Sequence, residues 1–236
     1  MNQMNVSTTG IVDDVAVERS FLMQVYAWMA LALLISAGVA YSTAVAPELV
    51  LMPLLRVPGG MLILFGVQLA LVLGLSFGLN KLNASVATGL FLVYAAVTGL
   101  TLSMILMAYT AGSVMAAFVA ASLTFGICSA FGLVTRMDLS RLGGFLFMAL
   151  IGLVVGSIVN LFVSSTALDW VLTYVGVLIF VGLTAYDTQM LKRMAHGIDA
   201  ENGEVVRKAS VMGALRLYLD FINLFLRFTR IFGRQR

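Results

Sequence analysis

Charge is what this sequence has least of. Asp, Glu, Lys and Arg make up 11% of 236 residues while 61% are hydrophobic, and the mean hydropathy of +1.03 lies far above that of a soluble domain, which must cover its surface with polar groups. The one cysteine, Cys128, excludes an intrachain disulfide or a multi-cysteine metal site and, within its apolar run, reads as a small packing residue. The one histidine, His196, has no second imidazole or thiol with which to hold a transition metal. Imidazole is suited to sensing pH, but this one sits among charges and reads as a solvated loop or helix-end residue. The three prolines all fall between Pro47 and Pro58, a turn region that also holds Glu48 and Arg56. The formal net charge is +3, too small to imply a nucleic-acid partner; in an apolar chain, basic residues report orientation first.

What is present is a succession of apolar runs, several without a charge over more than 18 residues. They fit helices crossing a hydrocarbon core of about 30 Å and lack the ten-residue alternation of an outer-membrane barrel. The expected fold class is an all-α integral membrane protein with seven transmembrane helices in one bundle. The spans are Phe21–Ala46, Gly59–Leu79, Ala84–Ala108, Ala111–Thr135, Leu142–Val163, Trp170–Leu191 and Val211–Phe232. Residues 1–20 form a polar, cytoplasmic leader, loosely ordered over Met1–Val17; residues 21–232 form the membrane domain and 233–236 a basic tail. The leader carries Asp13, Asp14 and Glu18 against Arg19, and the run after it is longer than a signal h-region, so the first span is expected to remain as a helix. Ala44-Val45-Ala46 resembles a cleavage site but is followed by Pro47.

Basic residues give the expected orientation. With the N-terminus inside, Arg19, Lys81, Arg136, Arg141, Lys192, Arg193, Arg207 and Lys208 are cytoplasmic, and the opposite links hold only Arg56. The last segment leaves two courses open: crossing puts Arg230, Arg234 and Arg236 outside, and bending back returns them. Lys192–Ser210 is the long polar link and is expected in water. Glycines at four-residue spacing, Gly74/Gly78 and Gly152/Gly156, read as close-packing seams between helices, with a dimer seam or hinge as alternatives.

Two acids interrupt the apolar pattern. Asp187 follows sixteen apolar or hydroxyl-bearing residues, Val171–Tyr186, and a charged aspartate at such depth costs about 2.5–3.5 kcal/mol on insertion scales. Thr184 shares its face. In the last helix Arg216, Asp220, Asn223, Arg227, Arg230 and Arg234 recur at spacings of three or four and form one polar stripe. That stripe belongs either to an amphipathic helix at the membrane surface or to a central helix that brings Asp220 towards Asp187. Two carboxyls meeting in a dry site share a proton rather than both ionise; losing it leaves paired negative charge, which can part the helices or be bridged by a cation such as Ca²⁺. Asn223 and Arg216, one turn to either side of Asp220, can hydrogen-bond it and compensate its charge; alternatively, Arg216 and Asp220 are a structural ion pair.

Tyr186-Asp187-Thr188-Gln189 and Leu217-Tyr218-Leu219-Asp220-Phe221-Ile222-Asn223-Leu224-Phe225, paired in this order, resemble the Bax inhibitor-1 family (the transmembrane Bax inhibitor motif family), in particular its bacterial members. The resemblance covers roughly the whole chain, the first five helices mainly by pattern. It implies a last helix surrounded by six others, and an aspartate pair, Asp187 and Asp220, whose protonation closes a calcium leak. Family members with the best-described leak carry an acid in the second helix; here the positional candidate is Gln68, which offers a carbonyl oxygen without charge or cross-links helices by hydrogen bonding.

The expected function is therefore a pH-sensitive leak channel for Ca²⁺ in a bacterial inner membrane, with protons as the gating ligand and membrane lipid as surroundings. Asp187 and Asp220 form the proton sensor and ion path, with Ca²⁺ as the transported or bound ion; Arg216, Asn223 and Gln68 support them, and no other cofactor is expected. The alternative is a non-conducting regulatory protein that binds a membrane protease or quality-control complex through residues 1–17 and 192–210. An enzyme is not expected, because neither acid has the Gly-x-Gly-Asp context of an intramembrane aspartyl protease: the runs are Ala185-Tyr186-Asp187 and Tyr218-Leu219-Asp220. Nor do paired interrupted helices mark a secondary transporter.

Overall fold

The structure, a computed structural model, describes residues 3–78 and 82–234, with side chains from residue 15 onward except at position 77. Met1, Lys81 and Arg236, used above for the leader and the charge pattern, lie outside the described residues. The elements are α1 (Gln3–Val45), α2 (Leu51–Arg56), α3 (Gly60–Gly78), α4 (Ala84–Ala108), α5 (Ala111–Val134), α6 (Ser140–Val163), α7 (Thr166–Ala195) and α8 (Gly203–Phe232). All but α2 and α3 contain a segment long and apolar enough to cross a membrane, and α3 contains the shorter apolar stretch Gly60–Ser76. The chain is a multi-pass helical membrane protein.

Several helices run past the apolar spans read from sequence. Helical hydrogen bonding stops where the backbone is capped, not where the first charge appears. Thus α1 begins at Gln3, within the stretch expected to be loosely ordered. The link expected from Lys192 to Ser210 shrinks to residues 196–202. It opens on turns in which His196 N and Gly197 N donate to the Arg193 and Met194 carbonyls, and it closes where Asn202 Oδ1 accepts from Val205 N at 3.2 Å. The turn after α1 holds α2, whose Pro53 sits in the first turn, where a missing N–H forfeits no intrahelical bond.

The chain divides into two compact units, Met1–Met107 with Leu191–Leu215, and Ala108–Met190 with Arg216–Arg236. In the first, Ser36 Oγ donates to the Ala95 carbonyl at 2.8 Å and ties α1 to α4, while Gly99 leaves room for the Ser36 carbonyl. The start of α1 meets the end of α7 through Glu18, 3.1 Å from His196 and 3.8 Å from Lys192. It meets the start of α8 through Arg207, whose guanidinium lies 5.8 Å from the Trp28 ring centroid.

In the second unit α5, α6, α7 and the rest of α8 run up and down beside one another. Phe118 and Phe125 of α5 pack edge-on against Phe221 of α8, centroids 5.8 and 5.7 Å apart. The expected glycine seams are mostly not contacts: a Cβ built at Gly74 or Gly152 meets nothing within 4 Å, and only Gly156, against Leu172 at 2.8 Å, is tight. Four-residue spacing aligns two glycines on a face without saying whether another helix covers it. Close approach occurs at isolated glycines instead, among them Gly132 on the Ala185 carbonyl and Gly143 on the Tyr186 ring.

Candidate functional site

The Tyr186–Gln189 stretch of α7 is held by a different neighbour at each position. Tyr186 fills the space that Gly143 leaves on α6. Thr188 Oγ1 and Ser129 Oγ of α5 share a hydrogen bond of 3.1 Å. Gln189 reaches the link between α5 and α6, where its Oε1 accepts from Leu139 N at 2.9 Å and its Nε2 donates to the Met137 carbonyl at 2.7 Å. These contacts leave Asp187 facing α8, where its Oδ1 lies 3.8 Å from Arg216 Nη1. Thr184, three residues earlier on the helix, donates to the Phe180 carbonyl of its own helix at 2.7 Å.

Helices α7 and α8 are antiparallel in this unit. Arg216 lies against Asp187 and, at 3.7 Å, against Met190 Sδ; a Cβ at Gly176 would meet Arg227 Nε at 2.7 Å; Arg230 pairs with Asp169. Interpolating between these contacts sets Asp220 level with Leu183 and Thr184, about one helical turn, ~5 Å along the axes, from Asp187. Both acids are buried, Asp187 at 7% and Asp220 at 4% relative exposure. Among the described residues Asp220 Oδ2 is buried without a hydrogen-bond partner. An unpartnered buried carboxylate oxygen is costly, so this atom is suited to take up a proton or a cation.

The other expected site residues fall differently. Asn223 turns back on its own helix, Nδ2 donating to the Leu219 carbonyl at 2.8 Å. Gln68 belongs to the first unit, where its Nε2 donates to Thr101 Oγ1 at 2.8 Å and to the Val97 carbonyl at 3.3 Å; it cross-links α3 to α4. Arg216 lies against Asp187, yet its side chain is 46% exposed. Among the described residues no group of three or more His, Cys, Asp or Glu side chains converges as a metal site. The sequence reading quoted Thr188 and Gln189 in the motif that carries the resemblance without giving them a role, and it did not single out Ser129, Gly132 or Gly143. The visible signal was polar groups and glycines at span ends, but nothing in their spacing named the partners.

The course of α8 is settled within its unit. Arg234 N donates to Ser113 Oγ at 3.0 Å and its carbonyl accepts from Thr110 N at 3.1 Å. The helix therefore ends beside the start of α5 and, through Arg230 and Asp169, beside the link from α6 to α7. It does not bend back towards Gln189 and the link from α5 to α6.

Comparison with known proteins agrees with this architecture. The family described as "Inhibitor of apoptosis-promoting Bax1" matches residues 18–236. The chain is 50% identical over 219 residues to the inner membrane protein YbhL of Escherichia coli K12, covering 92% of this chain and 93% of that one. It is 46% identical over 227 residues to a Deinococcus radiodurans protein, covering 96% and 94%, and 45% identical over 158 residues to a Streptococcus pyogenes membrane protein, covering 67% and 68%. With the family match spanning nearly its whole length, the chain belongs to the Bax inhibitor-1 family as a bacterial member.

Proposed function

We propose that this protein is a pH-gated leak for Ca²⁺ in the inner membrane, with α1 and α3 to α8 as seven spans, α8 enclosed by the others, and the N-terminus cytoplasmic. Burial supports an enclosed α8: 67% of its most apolar stretch is buried, against 11% in α6. The basic links read from sequence support the orientation.

The single observation that carries the gating is two buried carboxyls about one helical turn apart, ~5 Å along the axes, with one guanidinium, that of Arg216, against Asp187. Arg216 compensates one negative charge, and the second needs a proton or a cation. On acidification a proton takes that place and the acid helices stay together, closing the path. At higher pH the proton is lost and the uncompensated charge admits a cation. Ca²⁺ accepts irregular oxygen sets, and Arg216, half in solvent, has room to swing away and leave two carboxylates to balance the ion's two charges. Two carboxylates are too few for a storage site, which suits passage better than retention.

Ca²⁺ entry into liposomes containing the purified chain, followed from acidic to alkaline pH, tests this reading. The native protein should leak faster as pH rises, and a variant carrying both Asp187→Asn and Asp220→Asn should lose the response. Equal flux with an unchanged pH profile in that variant would remove the aspartate gate.

A further inference from the structure

At the end of the second unit opposite Asp187, α6, α7 and α8 enclose a cleft of about 480 Å³. Its lining includes Ser157, Asn160, Ser164, Ser165, Arg227 and Arg230. Arg230 is paired with Asp169, but Arg227, half-buried, has no ion pair or hydrogen bond among the described residues. Two guanidinium groups and one carboxylate leave one positive charge, and a half-buried guanidinium without a counter-ion gains from an anion. The same two helices, α6 and α7, carry a second cavity of about 460 Å³ whose lining is wholly apolar and includes Gly152, Leu153, Val171, Val175 and Leu178. Leu172 lines both and packs against Gly156 between them, so the basic cleft and an apolar groove running about 12 Å along the helices adjoin at this residue.

A small free anion would use only the cleft; an amphiphile uses both. We propose that this pair of cavities binds one anionic phospholipid, its phosphodiester against Arg227 and the serine hydroxyls and one acyl chain in the groove beside Gly152. The argument is charge complementarity at one end and an adjoining apolar groove at the other, on a face of exposed apolar side chains such as Phe145 and Leu178. Arg230 and Asp169 border the headgroup and limit how deeply it enters.

Native mass spectrometry of the full chain in detergent, titrated with dioleoyl phosphatidylglycerol or dioleoyl phosphatidylcholine, reads the site directly. The native protein should retain the anionic lipid about fivefold better, the attraction of roughly one uncompensated arginine, and Arg227→Gln should abolish that preference. Gly152→Leu fills the groove where an added Cβ meets nothing within 4 Å, so folding is spared. It should weaken retention of the dioleoyl lipid and spare a short-chain phosphatidylglycerol, and it decides the matter even if Arg227→Gln fails to fold. Equal retention of the two headgroups by the native protein, unchanged lipid binding in Gly152→Leu, or displacement of the lipid by an equal concentration of inorganic phosphate would overturn the assignment.

Discussion

Gln189→Met keeps the volume of Gln189 while removing both of its bonds to the link between α5 and α6. Leu139 N, on a residue 4% exposed, loses its acceptor, and the Met137 carbonyl loses its donor. Each bond contributes about 1 kcal/mol net, and a buried N–H left unpaired costs about 1–3 kcal/mol, so the expected loss is about 2–4 kcal/mol. For a chain of this size that corresponds to a fall in Tm of about 4–16 °C. Gln189→Glu sharpens the test, because the introduced carboxyl accepts from Leu139 N in either ionisation state but donates to the Met137 carbonyl only when protonated. Its stability deficit should therefore shrink on acidification and grow as pH rises, the opposite of a carboxylate held by a cation. Fluorescence-detected thermal unfolding in detergent, at acidic and alkaline pH, measures both effects. A Tm for Gln189→Met within about 2 °C of native, or a Gln189→Glu deficit independent of pH, would show that the link is not held this way.

Three further predictions follow from named contacts. Arg216→Gln removes the 3.8 Å partner of Asp187; the interaction is worth about 1 to 4 kcal/mol between water-like and surface-like screening, and the arginine's exposure favours the low end, so the onset of Ca²⁺ flux should move about one pH unit to the alkaline side. Gly132→Ala drives a methyl into the Ala185 carbonyl and Thr188 and should destabilise by about 1–3 kcal/mol, whereas Gly152→Ala, facing open space, should leave Tm unchanged within error. Glu18→Gln breaks the contacts to His196 and Lys192; being partly exposed they should cost no more than about 1 kcal/mol, read as faster amide exchange at the end of α7 with little change in global unfolding.

The spans were legible because lipid leaves the backbone few choices. An apolar run flanked by polar residues must be helical, so α4 matches the expected Ala84–Ala108 and α5 differs by one residue at its end. Extensions beyond the apolar cores, such as α7 to Ala195, were not legible, because helix termination depends on caps and not on hydropathy. The acids announced themselves by their cost in a membrane. Gln189 did not: its partners, Leu139 and Met137, lie 50 and 52 residues away and bond through backbone atoms, which carry no residue-specific signature. Arg216 was read as a companion of Asp220; its 3.8 Å contact is with Asp187, because the antiparallel approach of α7 determines which acid the guanidinium meets first.

The docking of Arg234 onto Thr110 and Ser113 matters for anyone labelling the protein. A reporter enzyme joined to the end of α8 and one inserted at Ser164–Ser165 must light up in the same compartment, while one inserted at Arg136–Asp138 must light up in the other. A long tether would be needed at the first position, since the backbone there is already engaged and a bulky fusion placed directly after Arg234 would pry it from the mouth of α5.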